Sequence, residues 1–339
     1  MQDHPQSRRT FIHGACAAVS ALLALSAGVK VSAATLPQLR ILCTGPPGSI
    51  PDIMARRVAE ELTGTYCQHA LVENRPGAAG QIAVNALKAS PSDGSTVLLA
   101  QGAISTTYPY LYAKLAYDPI TDLQPVSTVG EMTLGLAVGP VVPDSVANIR
   151  EFVLWMQRNP KLANVASPGT GTLPHLLAVM LLRSGGAGSA GNVEWQHVVY
   201  AGGPAALVDL MGGQIAALVL PEGLLRPHQA AGKLRVLGTS GAKRSAYLPA
   251  VASFAEQGYR ECVVREWFGF FMPARVPATV IESASQAMRV AIAEPALVKA
   301  FANLAITSAP STPAAMAARI AAEQRYWQPI IEAAGIRAD

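Results

Sequence analysis

The stretch Leu39-Arg40-Ile41-Leu42-Cys43-Thr44-Gly45-Pro46-Pro47-Gly48-Ser49-Ile50-Pro51-Asp52 decides the fold class. A short apolar run ends in a turn rich in Gly and Pro, and Met54, Val58 and Leu62 then recur at helical spacing as far as Gly64. An apolar run of this length bounded by turn residues reads as a buried strand, and the following period reads as an amphipathic helix. The unit repeats. Residues 70–73 lead through Asn74-Arg75-Pro76-Gly77 to a second helical stretch, and residues 96–100 lead through Gln101-Gly102 to a third. Strand, Gly-rich loop and helix in alternation predict an α/β chain with a parallel sheet covered on both faces.

The pattern starts again after Val138-Gly139-Pro140. Residues 145–158 form a predicted helix with Ile149, Phe152, Val153 and Met156 inward, stopped at Asn159-Pro160. A strand over 163–166 opens into Ser167-Pro168-Gly169-Thr170-Gly171-Thr172 and a helix over 173–183. A strand over 193–200 opens into Ala201-Gly202-Gly203-Pro204 and a helix to Met211. Runs at 215–220 and 234–239 supply further strands. After residues 262–272, helices follow from Pro277 and Pro313, the last carrying Met316, Ile320, Trp327 and Ile330 at helical spacing. No repeat of solenoid length interrupts this order. Two bodies of ordinary domain size predict two lobes, with a ligand held between the carboxyl ends of their strands.

Composition narrows the function. Of 339 residues 50% are hydrophobic and 14% charged, which excludes a disordered chain. Lys+Arg 26 against Asp+Glu 22 gives +4, and Arg8, Arg9 and Lys30 against Asp3 account for part of it, so no nucleic acid or charged membrane surface is indicated as a partner. Residues 7–13, Ser-Arg-Arg-Thr-Phe-Ile-His, precede a weakly apolar stretch at 14–29 and the small residues Val31-Ser32-Ala33-Ala34. This reads as a twin-arginine signal peptide over 1–34, cleaved after Ala33 or Ala34, and places the mature protein in the periplasm. Its apolar part, about 16 residues, is shorter than the roughly 20 that span a bilayer. Cys16 stands at the front of that stretch, a poor place for lipid attachment. Cys43, Cys67 and Cys262 remain and read as buried structural thiols, with a Cys43 to Cys67 bridge as the alternative.

Gly-rich loops between strand and helix are the strongest local signal. A helix start offers unpaired N–H groups and a partial positive charge, and a loop with little Cβ bulk lets a carboxylate or phosphate approach them. Residues 45–52, 167–175 and 200–204 qualify; Arg75 in the 74–80 loop is the one basic side chain nearby, so an anion would be held chiefly by amides and hydroxyls. Ser49-x-x-Asp52 with Pro51 fits a capping box, so Asp52 reads first as a helix-start residue. Gly186-Ala187-Gly188-Ser189-Ala190-Gly191 matches a dinucleotide fingerprint by letter but follows a helix and precedes a strand, the reverse of the required context, and reads as a connector. Ser189 and Ser240 miss the Gly-x-Ser-x-Gly elbow, Cys67-x-His69 is too sparse for a metal, and His175, His197 and His228 have no nucleophile with a local signature. The expectation is a binding protein without catalytic residues, metal or cofactor.

Segments along almost the whole mature chain carry a resemblance. They are Gly45-Pro46-Pro47-Gly48 with Asp52 and Arg56; Val72-Glu73-Asn74-Arg75-Pro76-Gly77-Ala78-Ala79-Gly80; Tyr117-Asp118-Pro119 with Pro125-Val126-Ser127; and Gly169-Thr170-Gly171-Thr172 with His175. Leu210-Met211-Gly212-Gly213-Gln214, Ala231-Gly232-Lys233-Leu234-Arg235, Ala242-Lys243-Arg244-Ser245 and Trp267-Phe268-Gly269-Phe270-Phe271 follow in order. This series resembles the substrate-binding proteins of tripartite tricarboxylate transporters, the Bug family of periplasmic receptors. The resemblance implies a two-lobed periplasmic binding protein, type II-like, each lobe a mainly parallel sheet covered by helices. Residues 35–138 plus 263–339 would form the first lobe and 139–262 the second. Such a protein closes on a small carboxylate as a monomer and delivers it to membrane transporter subunits. By motif, the first lobe would contribute Gly48, Ser49, Ile50 and Asp52, and the second Ser167, Gly169, Thr170, Gly171, Thr172 and His175 together with Tyr200, Ala201 and Gly202. Gln101 and Leu220, at strand ends, complete the candidate site.

Two departures bear on the ligand. Ser49-Ile50 stands where members tend to carry a third Gly, and Leu220-Pro221 where they tend to carry an acidic or amide pair. A buried ammonium needs an acid or several carbonyls, which Leu220-Pro221 does not supply, although Glu222 follows at once. The expected ligand is therefore a carboxylic acid with an apolar or aromatic remainder, in preference to aspartate or glutamate. A receptor that senses its ligand for signalling is the alternative role; a sensor-kinase gene beside this one would favour it, and transporter-subunit genes would favour transport.

Overall fold

Strand β1 (Leu36–Cys43) runs into the Gly-Pro turn, and helix α1 (Ile50–Leu62) starts beyond it with Ile50, Met54, Val58 and Leu62 buried, as the opening pattern dictates. The structure is a computed structural model that describes residues 35–183 and 193–338. The predicted signal peptide with Arg8, Arg9 and Cys16, and the connector 186–191, lie outside the described residues. Leu36–Asp339 is one compact unit.

From α1 the chain continues through β2 (Cys67–Asn74), α2 (Gln81–Lys88), β3 (Thr96–Gln101), the single turns α3 (Ala103–Thr106) and α4 (Tyr108–Leu111), and β4 (Leu123–Met132). It then forms β5 (Leu134–Val138), α5 (Ile149–Arg158), β6 (Asn164–Ser167), α6 (Leu173–Arg183), β7 (Gln196–Val199), α7 (Gly203–Met211), β8 (Ala217–Pro221), α8 (Glu222–Ala230) and β9 (Arg235–Thr239). Strand β10 (Glu266–Pro273), α9 (Ala278–Ala293), α10 (Pro295–Ala302), β11 (Thr307–Ser308) and α11 (Pro313–Ala334) complete it. One sheet has the order β11-β4-β10-β3-β1-β2 and the other β7-β6-β8-β5-β9, giving the two-lobed α/β architecture.

Both sheets are mixed and not parallel throughout. β1 pairs in parallel with β2 and β3, and β6 with β7 and β8, but β10 runs against β3 and β4, and β5 against β8 and β9. β11 also runs against β4; the other reversed strands, β5 and β10, are those by which the chain enters a sheet from the other lobe. β4 ends at Met132, Thr133 crosses, and Leu134 pairs with Pro221 at the carboxyl end of β8. A strand entered from that end must run against its neighbours. The crossing strands are tied together: Leu134 N–H donates to Ser240 Oγ, Ser240 N–H to the Leu134 carbonyl, and Val264 N–H to the Ser240 carbonyl. The carboxyl ends of the two sheets consequently face each other.

The crossover corrects the expected lobe boundary. Residues 134–138 belong to the second sheet, because β5 lies between β8 and β9, so the first lobe's sheet ends at Met132 and not at 138. Residues 126–138 form one nearly unbroken buried run, and apolar pattern alone does not mark where a chain changes sheets. The expected helix over 145–158 begins only at Ile149, since the Asn148 side chain accepts from Glu151 N–H and caps it there.

Alternate residues of the central strands enter different cores. Leu42, Leu98 and Ala100 face one side, and Leu39, Ile41, Cys43, Val97 and Leu99 the other, which is why these strands read as continuous apolar runs. Register excludes the Cys43 to Cys67 bridge. Cys67 lies beside Leu36 and Cys43 beside Asn74, at opposite ends of paired strands about 23 Å long, far beyond disulfide reach. Cys43, Cys67 and Cys262 are all buried, and burial pushes the Cys43 thiol up to about 11.

Candidate functional site

Between the facing strand ends lies a cleft of about 570 Å³. Of the candidate residues, Ser49, Ile50, Gln101, Gly169, Thr170, Thr172, Tyr200, Ala201, Gly202 and Leu220 line it, whereas Gly48, Asp52, Ser167, Gly171 and His175 do not. The second group builds the loops from behind.

In the first loop, Asp52 accepts from Gly48 N–H at 2.9 Å, from Arg56 Nε at 3.0 Å and from Asn74 Nδ2 at 2.8 Å, and Asn74 Nδ2 also donates to the Gly45 carbonyl at 2.8 Å. Burial alone would raise the Asp52 carboxyl, but Arg56, the Gly48 amide and Asn74 outweigh it and hold it below the usual carboxylate range. The expected capping box does not form: Ser49 Oγ donates to the Pro46 carbonyl at 2.6 Å instead of capping the helix, and Asp52 reaches past Ser49 to the Gly48 amide. This leaves the Ile50 amide, at the positive end of α1, beside the cleft.

The second loop is braced by imidazoles. Ser167 Oγ and His197 Nε2 are 2.8 Å apart, Gly171 N–H donates to His175 Nδ1 at 3.1 Å, and the two rings stack at 3.9 Å between centroids. Burial, with the neighbouring His197, pushes His175 down to about 3, and burial pushes His197 down to about 4. Both rings are therefore neutral, and a neutral Nδ1 can accept the Gly171 amide. His175 holds the shape of the loop, and Thr170 carries its hydroxyl on the cleft wall.

Sequence reasoning missed a fourth loop. Gly77, Ala78, Ala79 and Gly80 line the cleft in a run of positive φ, with Ala78 at 46° and Ala79 at 52°, a conformation that residues bearing a Cβ seldom adopt. Gln101 Nε2 and Tyr108 OH both donate to the Ala79 carbonyl, at 2.6 and 2.7 Å, and Gln101 Oε1 accepts from Thr44 Oγ1 at 2.9 Å. Gln101 lines the cleft but spends its amide on holding this loop. The segment was visible as a motif at 72–80, yet two alanines give no hint of a left-handed turn. Tyr112, Leu224, Glu266, Phe268 and Ala338 also line the cleft; Phe268 lies in the motif segment 267–271, which gave no sign that it faces a ligand.

No Lys or Arg lies on the described wall. One part is polar (Thr44, Gln81, Thr170, Thr172), and another is apolar (Ile50, Val199, Leu220, Leu224, Phe268). Among the described residues no group of His, Cys, Asp or Glu is placed to hold a metal ion, and no helix is long and apolar enough to cross a membrane. The lobes touch across the mouth: Tyr112 OH donates to the Thr170 carbonyl at 2.9 Å, and Gly202 packs so close to Pro46 that a Cβ would stand 2.7 Å from its ring.

A family profile described as the tripartite tricarboxylate transporter family receptor matches residues 54–336. The chain belongs to that family. Protein BugT of Bordetella pertussis is 30% identical to this receptor over 94% of this chain and 97% of BugT. A solved periplasmic transporter superposes on the receptor with a TM-score of 0.81 at 27% identity, covering 89% of this chain and 98% of the other. Rpa4515 of R. palustris, solved with adipate, shares the fold at a TM-score of 0.81 and 24% identity, covering 88% of this chain and 98% of its own. The resemblance read from Glu-Asn-Arg-Pro-Gly at 73–77 and its companion segments holds, and the receptor is a solute-binding protein by family.

Proposed function

We propose that this receptor captures a small carboxylic acid with an apolar or aromatic remainder between its lobes and delivers it to the membrane subunits of a tripartite transporter. The observation that carries this reading is the divided wall. Hydroxyls and amides from loops 44–50, 77–81 and 168–172 form one part, and Leu220, Leu224, Val199 and Phe268 the other, with no basic side chain between them. A carboxylate fits the first part, where the loops offer backbone amides and the Thr170 hydroxyl, the Thr172 hydroxyl being spent on the Gly169 carbonyl, and the start of α1 adds its partial positive charge. An apolar body fits the second, where Leu220 is 1% exposed and offers no partner to an ammonium. Adipate, with which Rpa4515 was solved, shares the carboxylate and the methylene body and carries a second carboxylate at its other end.

A thermal-shift panel of benzoate, hexanoate, adipate and L-aspartate tests the reading. An acid present at a hundred times its Kd adds about 2.7 kcal/mol, a rise in Tm of roughly 4 °C for a chain of this size. Benzoate, hexanoate or adipate should give that rise and aspartate little or none; a response to aspartate alone would contradict the assignment.

Delivery to a transporter requires export, and the proposal places the receptor in the periplasm by the twin-arginine route. Replacing Arg8 and Arg9 together by Lys should leave precursor in the cytoplasm. Undiminished periplasmic protein in a strain that has only this pathway would argue against it.

A further inference from the structure

Strand β10 begins on the cleft floor with Glu266, which lines the cleft and is 5% exposed. Among the described residues no other side chain hydrogen-bonds its carboxyl; the Trp267 backbone amide is its polar neighbour. Charged and titratable groups surround it. α11 brings Arg319 and Glu323, β4 brings Glu131, α4 brings Tyr108, and Arg265 precedes it on its own segment. These charges already match one another. Arg265 pairs with Glu131 at 2.9 Å, and Arg319 pairs with Glu131 at 3.1 Å and with Glu323 at 2.8 Å. Glu323 also accepts from Trp267 Nε1 at 2.9 Å. Two guanidiniums meet two carboxylates, so an ionised Glu266 would be a third anion, buried and without a counter-ion, which is strongly unfavourable.

A neutral carboxyl has a proton to give. Phe268 pairs with Gln101 and Glu266 with Met132, so Glu266 lies at the hinge side of the floor, two strands from β1 and its loop. Strands two apart in a sheet stand about 10 Å from each other, which leaves room for a bound acid of several carbons to reach from the β1 loop toward Glu266. We propose that Glu266 enters the site as a neutral carboxyl whose O–H donates to a second oxygen at the far end of the bound acid. This rests on the reading of the cleft as a carboxylate site and adds what the apolar remainder ends in: a carboxylate, carbonyl or hydroxyl oxygen. Burial and Glu323 push the carboxyl up to about 8, against the opposing pull of Arg319. The donor is therefore present at neutral pH and lost above it, and its anion would then repel a distal carboxylate.

Calorimetric titration of the mature wild-type protein and E266Q with adipate and hexanoate, at pH 7 and pH 9, tests this. Wild-type protein should bind adipate more tightly than hexanoate at pH 7, and the adipate Kd should rise about tenfold by pH 9. In E266Q, whose neutral amide also donates, adipate should keep most of its pH 7 affinity, with a Kd that no longer changes with pH. An equal loss in E266Q, no loss in the wild type, or binding of hexanoate without adipate overturns the proposal and leaves the carboxylate reading standing. Failure of both acids at both pH values removes that reading and the proposal with it. Should E266Q fail to fold, titration of the wild type at pH 9 in two buffers of different ionisation heat decides: uptake of nearly one proton per adipate supports the proposal, and no uptake overturns it.

Discussion

Valine in place of Gly202 is expected to weaken capture of hexanoate at least a hundredfold while leaving the unliganded receptor folded. Gly202 follows β7 in the second lobe and packs across the cleft mouth on Pro46 of the first-lobe loop. A Cβ there would stand 2.7 Å from Pro46 Cγ and 3.0 Å from Cδ. The ring of Pro46 cannot rotate away, since its atoms are tied into the backbone, so the lobes must part. The clash with Pro46 burdens the closed form alone, whereas the strain of a valine at φ +159° is common to both forms and shows in the unliganded Tm. A ligand shifts a population only by its differential affinity for the two forms, and about 3 kcal/mol against closure becomes roughly a hundredfold in Kd. Calorimetry on G202V checks the affinity, and its unliganded Tm checks the fold. Gly169→Ala is the milder companion, because its Cβ would meet Ala79 Cβ at 3.3 Å, a tight contact that a small shift relieves. An unchanged Kd in G202V would mean that capture does not need the mouth shut.

Aspartate in place of Leu220 should be as damaging by another route. Leu220 is fully enclosed, pairs with Gly135 across β8 and β5, and packs where Gly203 and Leu224 also line the cleft. A carboxylate in that position has no cation on the described wall to meet it, and a buried unpaired charge is expensive enough to open the cleft or bind a proton. Affinity for hexanoate should fall a hundredfold or more, and the ratio of aspartate to hexanoate affinity should rise, because an ammonium now has a partner. Competition titrations of L220D with both acids measure that ratio. An unaltered ratio would show that the apolar end of the ligand lies elsewhere.

The pattern at 39–62 carried the strand, turn and helix of each βαβ unit faithfully, because an alternating or helical period is a local property. The crossing from β4 to β5 was not legible. Val126, Val129, Leu134 and Leu136 all enter buried cores, and their sequence is the same whether one sheet or two receives them. Site loops were found because Gly and Pro mark them, but their depth was not: His175 and Asp52 have the chemistry of ligand contacts, yet their hydrogen bonds turn to Gly171 and Gly48. Glu266 and Phe268 were invisible for the opposite reason. They sit inside the buried strand β10, and only its return beside β3 brings them to the cleft.

A crystal structure of the mature receptor with hexanoate decides whether the acid is captured in the cleft between the lobes. The ligand is expected between the lobes, its carboxylate oxygens on the Thr170 hydroxyl and the backbone amides of loops 44–50, 77–81 and 168–172, and its methylenes against Leu220, Leu224 and Phe268. Hexanoate on any other surface, or with its carboxylate turned toward Leu220, would contradict it.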